Sequence, residues 1–277
     1  MPSGVHIASL HPRRSGWAFA RLRGLRGEDE RTLGSGPAAL EILSLLRRLL
    51  VDGEGGVPSE LLEELPLADR DRVAAAVYAR HFGDAITAQA PCTACTKGFE
   101  TNFSLAALMR YQSEQAAAAV APGAHATAAQ GPDEEGAYSL PDGRRFRLPT
   151  AADQRELIMN PARDAAALLR QRCVLRGDPH SDPGAIDAAM ERVGPLLDLE
   201  FEARCPNCEQ EQSVHFEICS FLLASLRQQA PWLAREVHVL ARAYGWSLAS
   251  ILELPIEERR GYVRLIGAEY ASARRQP

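Results

Sequence analysis

The sequence predicts an α+β fold, mostly helical, in which two duplicated helix–strand–Cys-x-x-Cys–strand–helix units share a zinc-ribbon-like site and a C-terminal helical tail follows. Three observations predict it. Two Cys-x-x-Cys pairs, Cys92/Cys95 and Cys205/Cys208, each lie between short stretches of β-type sequence. The text around one pair repeats around the other. Beyond the second copy, apolar residues recur at helical spacing.

The first copy occupies residues 1–112, a linker 113–137, the second copy 138–228 and the tail 229–277. Arg23 and Asp29 align with Arg147 and Asp153 at an offset of 124, which also sets Arg48 on Arg172 and Gly53 on Gly177. Further on the offset falls to 113, with Cys92 on Cys205, Cys95 on Cys208 and Phe103 on Phe216. The change implies eleven extra residues in the first copy between Gly53 and Val73, where Pro58 to Pro66 lie. In each copy a short strand comes first (Trp17 to Leu22; Arg144 to Leu148), then a helix ending near Gly53 or Gly177, where glycine suits a C-cap. A second helix (Asp69 to Phe82; Ala185 to Val193) leads to the strand–Cys-x-x-Cys–strand element and a closing helix. The linker is rich in Ala, Gly and Pro and reads as flexible, with nothing that packs a core.

Composition limits the function classes. Of 277 residues, 46% are hydrophobic and 24% charged, which is ordinary globular usage. The net charge of −5 and the single lysine, Lys97, argue against a nucleic-acid binder. Arginines interrupt the first thirty residues, so no signal peptide is expected, and no apolar run reaches membrane-span length. The expectation is a cytoplasmic protein, whose six cysteines are metal ligands and buried thiols rather than disulfides.

The Cys-x-x-Cys pairs carry the chemistry. A turn between two strands aims both thiolates at one point, and a closed structural zinc site needs four ligands. Neither pair has a convincing local partner; His215 is the nearest histidine, and it aligns with Asn102. One site shared by Cys92, Cys95, Cys205 and Cys208 is therefore expected, with two separate sites or redox dithiols as the alternatives. Four thiolates leave no place for water, so the zinc would be structural. Cys173 and Cys219 lie singly in apolar helical stretches and read as buried small hydrophobes. No phosphate loop, metalloprotease motif, nucleophile elbow or dinucleotide fingerprint is present, so no enzyme and no small-molecule substrate is expected.

In the tail, Leu233, Val237, Leu240 and Tyr244 mark an apolar helix face, with Pro231 in its first turn and Gly245 at its end. Arg235, His238 and Arg242 fall on the opposite face, either a solvated surface or a patch for an acidic partner. Trp232, Tyr244, Trp246 and Tyr262 cluster here although aromatics are only 6% of the chain; they read as core packing or as a partner anchor. Ser247 caps a short helix before Pro255, and Val263, Ile266 and Tyr270 mark the last helix.

Several strings occur together in order: Gly83-Asp84-Ala85-Ile86 leading to Cys92-Thr93-Ala94-Cys95, Arg147-Leu148-Pro149-Thr150-Ala151-Ala152-Asp153, and Cys205-Pro206-Asn207-Cys208. After them come Arg235-Glu236-Val237-His238-Val239-Leu240-Ala241-Arg242-Ala243-Tyr244-Gly245-Trp246-Ser247 and Ile251-Leu252-Glu253-Leu254-Pro255. The set resembles the baseplate hub assembly chaperone family of T-even-type phages, with relatives in contractile injection systems. The resemblance spans most of the chain outside the first fifteen residues and the linker. It implies a non-enzymatic protein that helps a baseplate hub assemble, or stays in the baseplate as a minor part, with a hub or spike subunit as partner. A zinc-ribbon nucleic-acid adaptor is the competing reading, resting on Arg259, Arg260, Arg274 and Arg275. Relatives often carry glycine after the second cysteine of each pair; here Thr96 and Glu209 stand there.

Overall fold

The computed structural model describes residues 6–10, 17–120 and 129–273. The chain is mixed α+β with helices predominant and small antiparallel sheets. In the first unit β1 (His6–Ser9) pairs with β2 (Phe19–Leu22), and α1 (Gly27–Arg31) and α2 (Ala38–Leu49) follow. The single helix expected up to Gly53 is thus two. Gly34, Gly36 and Pro37 fall in the break. α2 stops at Leu49 because Leu50 turns extended and bridges to Leu22. A 3₁₀ segment, Ser59–Glu64, fills the stretch read as an insertion. Then come α3 (Leu67–Phe82), closed by Gly83 at φ +87°, the hairpin β3 (Ala85–Pro91) and β4 (Gly98–Ser104), and α4 (Leu105–Ala119).

The second unit follows the same order. It runs β5 (Ala137–Ser139), β6 (Arg145–Arg147), α5 (Ala151–Met159), α6 (Ala165–Cys173), β7 (Val174–Arg176), α7 (Pro183–Val193), β8 (Asp198–Arg204) and β9 (Glu211–Glu217). Here too the helix stops short of the expected glycine: Val174 pairs with Phe146, as Leu50 does with Leu22, and Gly177 lies beyond. Then come α8 (Ile218–Tyr244), α9 (Leu248–Glu253) and α10 (Ile256–Ala273).

Two expectations are corrected. The flexible linker does not hold for its described residues: Ser113 to Ala119 extend α4, and Gln130 bridges to Ser139 while Ala129 is buried in the second core cluster. Alanine is the best helix former, so an alanine run beside a capped helix prolongs it. Residues 121–128 lie outside the described set. Pro231 does not start a tail helix; it lies inside the 27-residue α8, which crosses the expected boundary at 228/229. Leu226 and Leu233 are buried on either side of it, so packing carries the helix past the missing N–H.

The main core forms where α2 and α3 meet α8, through Ile42, Leu45, Leu49, Val73, Val77, Leu222 and Leu226. A second cluster holds Tyr138, Phe146, Cys173 and Ile186, and a fourth joins α8 to the tail through Leu240, Ile251 and Ile266. No helix among the described residues is long and apolar enough to cross a membrane.

At the start of each unit an arginine–aspartate corner recurs. Arg23 donates to both carboxylate oxygens of Asp29, at 2.7 and 2.9 Å, and Arg48 adds a third contact at 3.4 Å. Arg147 does the same to Asp153 at 2.6 and 3.0 Å, and Arg172 donates at 3.0 Å. The aspartate accepts the backbone N–H of Arg26 in one corner and of Thr150 in the other, both at 2.9 Å. Both aspartates are buried, and each sits in the first turn of its helix, where negative charge is favoured. Burial pushes each carboxyl up, but the arginine and backbone hydrogen bonds outweigh it and leave both below the ordinary range.

Candidate metal centre

The two Cys-x-x-Cys loops are the turns of equivalent hairpins. β3 pairs with β4 from Ala85–Ser104 to Pro91–Gly98, and β8 with β9 from Asp198–Glu217 to Arg204–Glu211. Each pair in the first hairpin recurs 113 residues later in the second. Past the strands, the N–H of Cys92 donates to the Lys97 carbonyl and that of Cys205 to Gln210, both at 2.9 Å. The turn closes when Thr96 donates to the Cys92 carbonyl and Glu209 to Cys205. That closure requires left-handed backbone: Thr96 has φ +60° and Glu209 φ +62°. These are the positions where glycine would be free of strain, and a β-branched threonine is the costlier occupant.

The hairpin tips face each other. Cys92 Sγ lies 3.5 Å from Cys208 Sγ, and Cys95 Sγ lies 3.8 Å from Cys205 Sγ. All four sulfurs fall within 4.8 Å of one another. A tetrahedron with metal–sulfur bonds of about 2.3 Å has edges of about 3.8 Å, so the donor set fits a single ion such as zinc. All six cysteines are free thiols.

On balance the surroundings favour the thiolate at two of the four cysteines. The loop amides of Cys95 and Ala94 pull the Cys92 thiol down to about 6, against the opposing effect of burial. At Cys205 burial opposes, and the amides of Asn207 and Cys208 bring the thiol down. The Gln210 amide favours the Cys208 thiolate, but the thiols around it, Cys92 first, push it up to about 12. Four sulfurs this close cannot all be anionic without a cation between them. Phe99 and Val214 wall the site, and the Gln212 side chain ties the tips by accepting from Thr93 N–H (2.8 Å) and donating to the Pro91 carbonyl (3.0 Å). His215 stays out: its Nε2 is 2.6 Å from Asp198, on the exposed face.

Cys173 is buried in the second cluster, as expected, and burial pushes its thiol up to about 11. Cys219 is buried too, and both thiols have a polar neighbour: Arg147 Nη1 lies 3.9 Å from the Cys173 sulfur, and the Cys219 thiol lies 3.5 Å from Asp71. Asp71, Glu217 and Cys219 bring ligand-type atoms together. Those atoms are already engaged. Asp71 accepts from Arg70 and from the N–H of Leu197, and Glu217 caps α8 through the N–H groups of Cys219 and Ser220. This network joins α3 to the second unit, and no sequence motif marked it.

The expected partner residues divide. Trp232 is 57% exposed, with the Arg235 guanidinium 6.0 Å from its ring, and His238 and Arg242 are exposed on the same helix. Tyr244, read on the apolar helix face and as either core or partner anchor, is exposed at the end of α8 and stacks on Trp246 at 4.8 Å. Trp246 is half-buried, edge-on to Tyr262 and packed on the fourth core cluster. Arg259 and Arg260 are not a free basic surface. Arg259 is fully buried between Glu30 and Glu236, and Arg260 contacts Glu236 and Gln229. Arg274 and Arg275 lie outside the described residues.

Comparison of the chain with protein-family models, with curated proteins and with solved structures finds no match.

Proposed function

We propose that this protein is a non-enzymatic assembly chaperone for the baseplate hub of a phage tail or a phage-tail-like contractile injection system. In this reading it arose by internal duplication and is held in shape by one structural zinc on Cys92, Cys95, Cys205 and Cys208. Bound zinc would supply a cross-link between the two hairpin tips and no reactive water. The observation that supports a binding role is the tail surface. Of the nine exposed large hydrophobic residues among the described ones, five lie between Trp232 and Tyr270. Among them Trp232 stands exposed with the Arg235 guanidinium 6.0 Å from its ring, the make-up of a protein-binding anchor. Burial of Arg259 and pairing of Arg260 remove two of the four arginines behind the nucleic-acid reading.

The test is co-expression with baseplate hub and spike subunits, followed by affinity capture. The proposal predicts capture of a hub or spike subunit, weakened at least tenfold by Trp232→Ala with unchanged circular dichroism. If none of these subunits is captured, the proposal fails. Mass spectrometry of finished particles separates the roles: a chaperone is absent, and a permanent baseplate component is present in fixed stoichiometry.

A further inference from the structure

Each arginine–aspartate corner is occupied, and the two occupants match. At the second corner the chain from Leu62 to Arg70 docks: Pro66 bridges to Thr150, and the N–H of Leu67 donates to the Pro149 carbonyl at 2.9 Å. At the first corner the chain from Ile251 to Arg259 docks: Pro255 bridges to Arg26, and the N–H of Ile256 donates to the Leu25 carbonyl at 2.9 Å. The occupants align at an offset of 189, reading Leu-Glu-Glu-Leu-Pro-Leu-Ala-Asp-Arg against Ile-Leu-Glu-Leu-Pro-Ile-Glu-Glu-Arg. The leucine before each proline has the same backbone, φ −65° with ψ 135° at Leu65 and 136° at Leu254, and each donates its N–H three residues back. Proline imposes that extended approach on the residue before it. The helix it opens has first-turn N–H groups without intrahelical acceptors, and the corner's carbonyl takes one of them. Four residues after the proline, a buried arginine reaches the corner's helix: Arg70 donates to Gln154, and Arg259 to Glu30. Gln154 and Glu30 are themselves equivalent, 124 residues apart.

The tail therefore has a counterpart, in the very stretch first read as an insertion. The pairing is crossed: the first unit's segment fills the second corner, and the tail returns to fill the first. One difference adjusts the first corner to its occupant. Gly27 stands where the second corner has Ala151, and a Cβ at Gly27 would lie 2.8 Å from Arg259 Nη1 and 2.8 Å from Leu252 Cδ2.

We propose that the strand–helix corner is a docking site for a Leu-Pro-led helix start bearing arginine four residues after the proline, that the chain carries two such sites, and that α9–α10 is the first site's own ligand, bound in cis. The site's ligand class is thus a short peptide of this pattern. The proposal stands independently of the hub chaperone reading.

The test uses the full-length chain. Gly27→Ala gives the first corner the second corner's residue while blocking the tail. Hydrogen exchange should then accelerate at least tenfold in α9–α10 and stay unchanged in α5 and in the two cysteine hairpins. Unchanged exchange in the tail, or equal acceleration everywhere, would overturn the proposal. Should Gly27→Ala fail to fold, Arg259→Met serves, because it removes the occupant's own contact with Glu30 and leaves the residues of the corner in place; the same selective acceleration is expected. In a second arm, a specific protease site is placed in the Gly245–Ser247 loop of the full chain. After cleavage the tail fragment should remain bound and be displaced by a synthetic peptide of residues 58–82, but not by the same peptide carrying Arg70→Met. Displacement by both peptides, or by neither at millimolar concentration, would contradict it.

Discussion

The chain closes on itself at two places, by different chemistry. At the cysteine centre two hairpin tips meet through sulfur, Cys92 to Cys208 at 3.5 Å, with Phe99 and Val214 as the main apolar support. At the tail, Arg259 spans 229 residues to reach Glu30, also holds Glu236, and is fully buried. The first closure brings together donors that repel unless a cation joins them. The second is complete in protein atoms apart from Arg259 Nη1, which finds no acceptor among the described residues. The first closure should therefore respond to metal and the second to mutation, and each can be broken without the other.

The largest effect expected is from removing metal. Metal binding at a four-thiolate site is worth on the order of 10 kcal/mol in small zinc domains. A strong chelator, or Cys205→Ser, should lower the melting temperature measured by calorimetry by on the order of 10 °C, and Arg259→Met should not change this sensitivity to chelator. Next is Arg259→Met itself, which leaves Glu30 buried without its cation and Glu236 with Arg260 alone, at 3.3 Å. It should cost about 3–5 kcal/mol in urea unfolding, while metal content stays at the wild-type level. A variant that also carries Glu30→Gln and Glu236→Gln should recover most of the loss.

A smaller effect is expected at the corners. Asp29 and Asp153 have folded pKa values below the ordinary carboxylate value. Their contribution is therefore present above pH about 4 and fades as pH falls through the depressed folded values. Asp153→Asn should cost about 2–3 kcal/mol at pH 7 and flatten the acid limb of a stability–pH curve. An acid limb as steep as the wild type's would show that the carboxylates elsewhere govern it. The smallest effect is a gain. Thr96→Gly and Glu209→Gly each relieve a left-handed non-glycine residue, and each should raise stability by about 0.5 kcal/mol after glycine's own entropy cost. The change is readable as a shift in the urea midpoint.

These two closures were unequally legible in the sequence. The cysteines announce themselves because few residue types bind metal and their spacing is fixed by the turn. The matches Arg23/Arg147, Asp29/Asp153 and Arg48/Arg172 were visible as a repeat, but not that each trio forms one ion-pair corner. The tail's counterpart stayed hidden because it is out of order: offsets of 124 and 113 align the units, while the tail matches at 189. Helix ends were misplaced where a tertiary β-bridge, Leu22–Leu50 or Phe146–Val174, overrode the glycine signal. Arg259 looked like surface charge because composition cannot show that Glu30 and Glu236 converge on it.

The central claim is that the two hairpins share one ion. Metal analysis of the purified full-length chain by inductively coupled plasma mass spectrometry, beside Cys205→Ser, tests it most directly. One zinc per chain in the wild type and none in the variant is the predicted result. Full zinc in Cys205→Ser, or two zinc ions per wild-type chain, would contradict it.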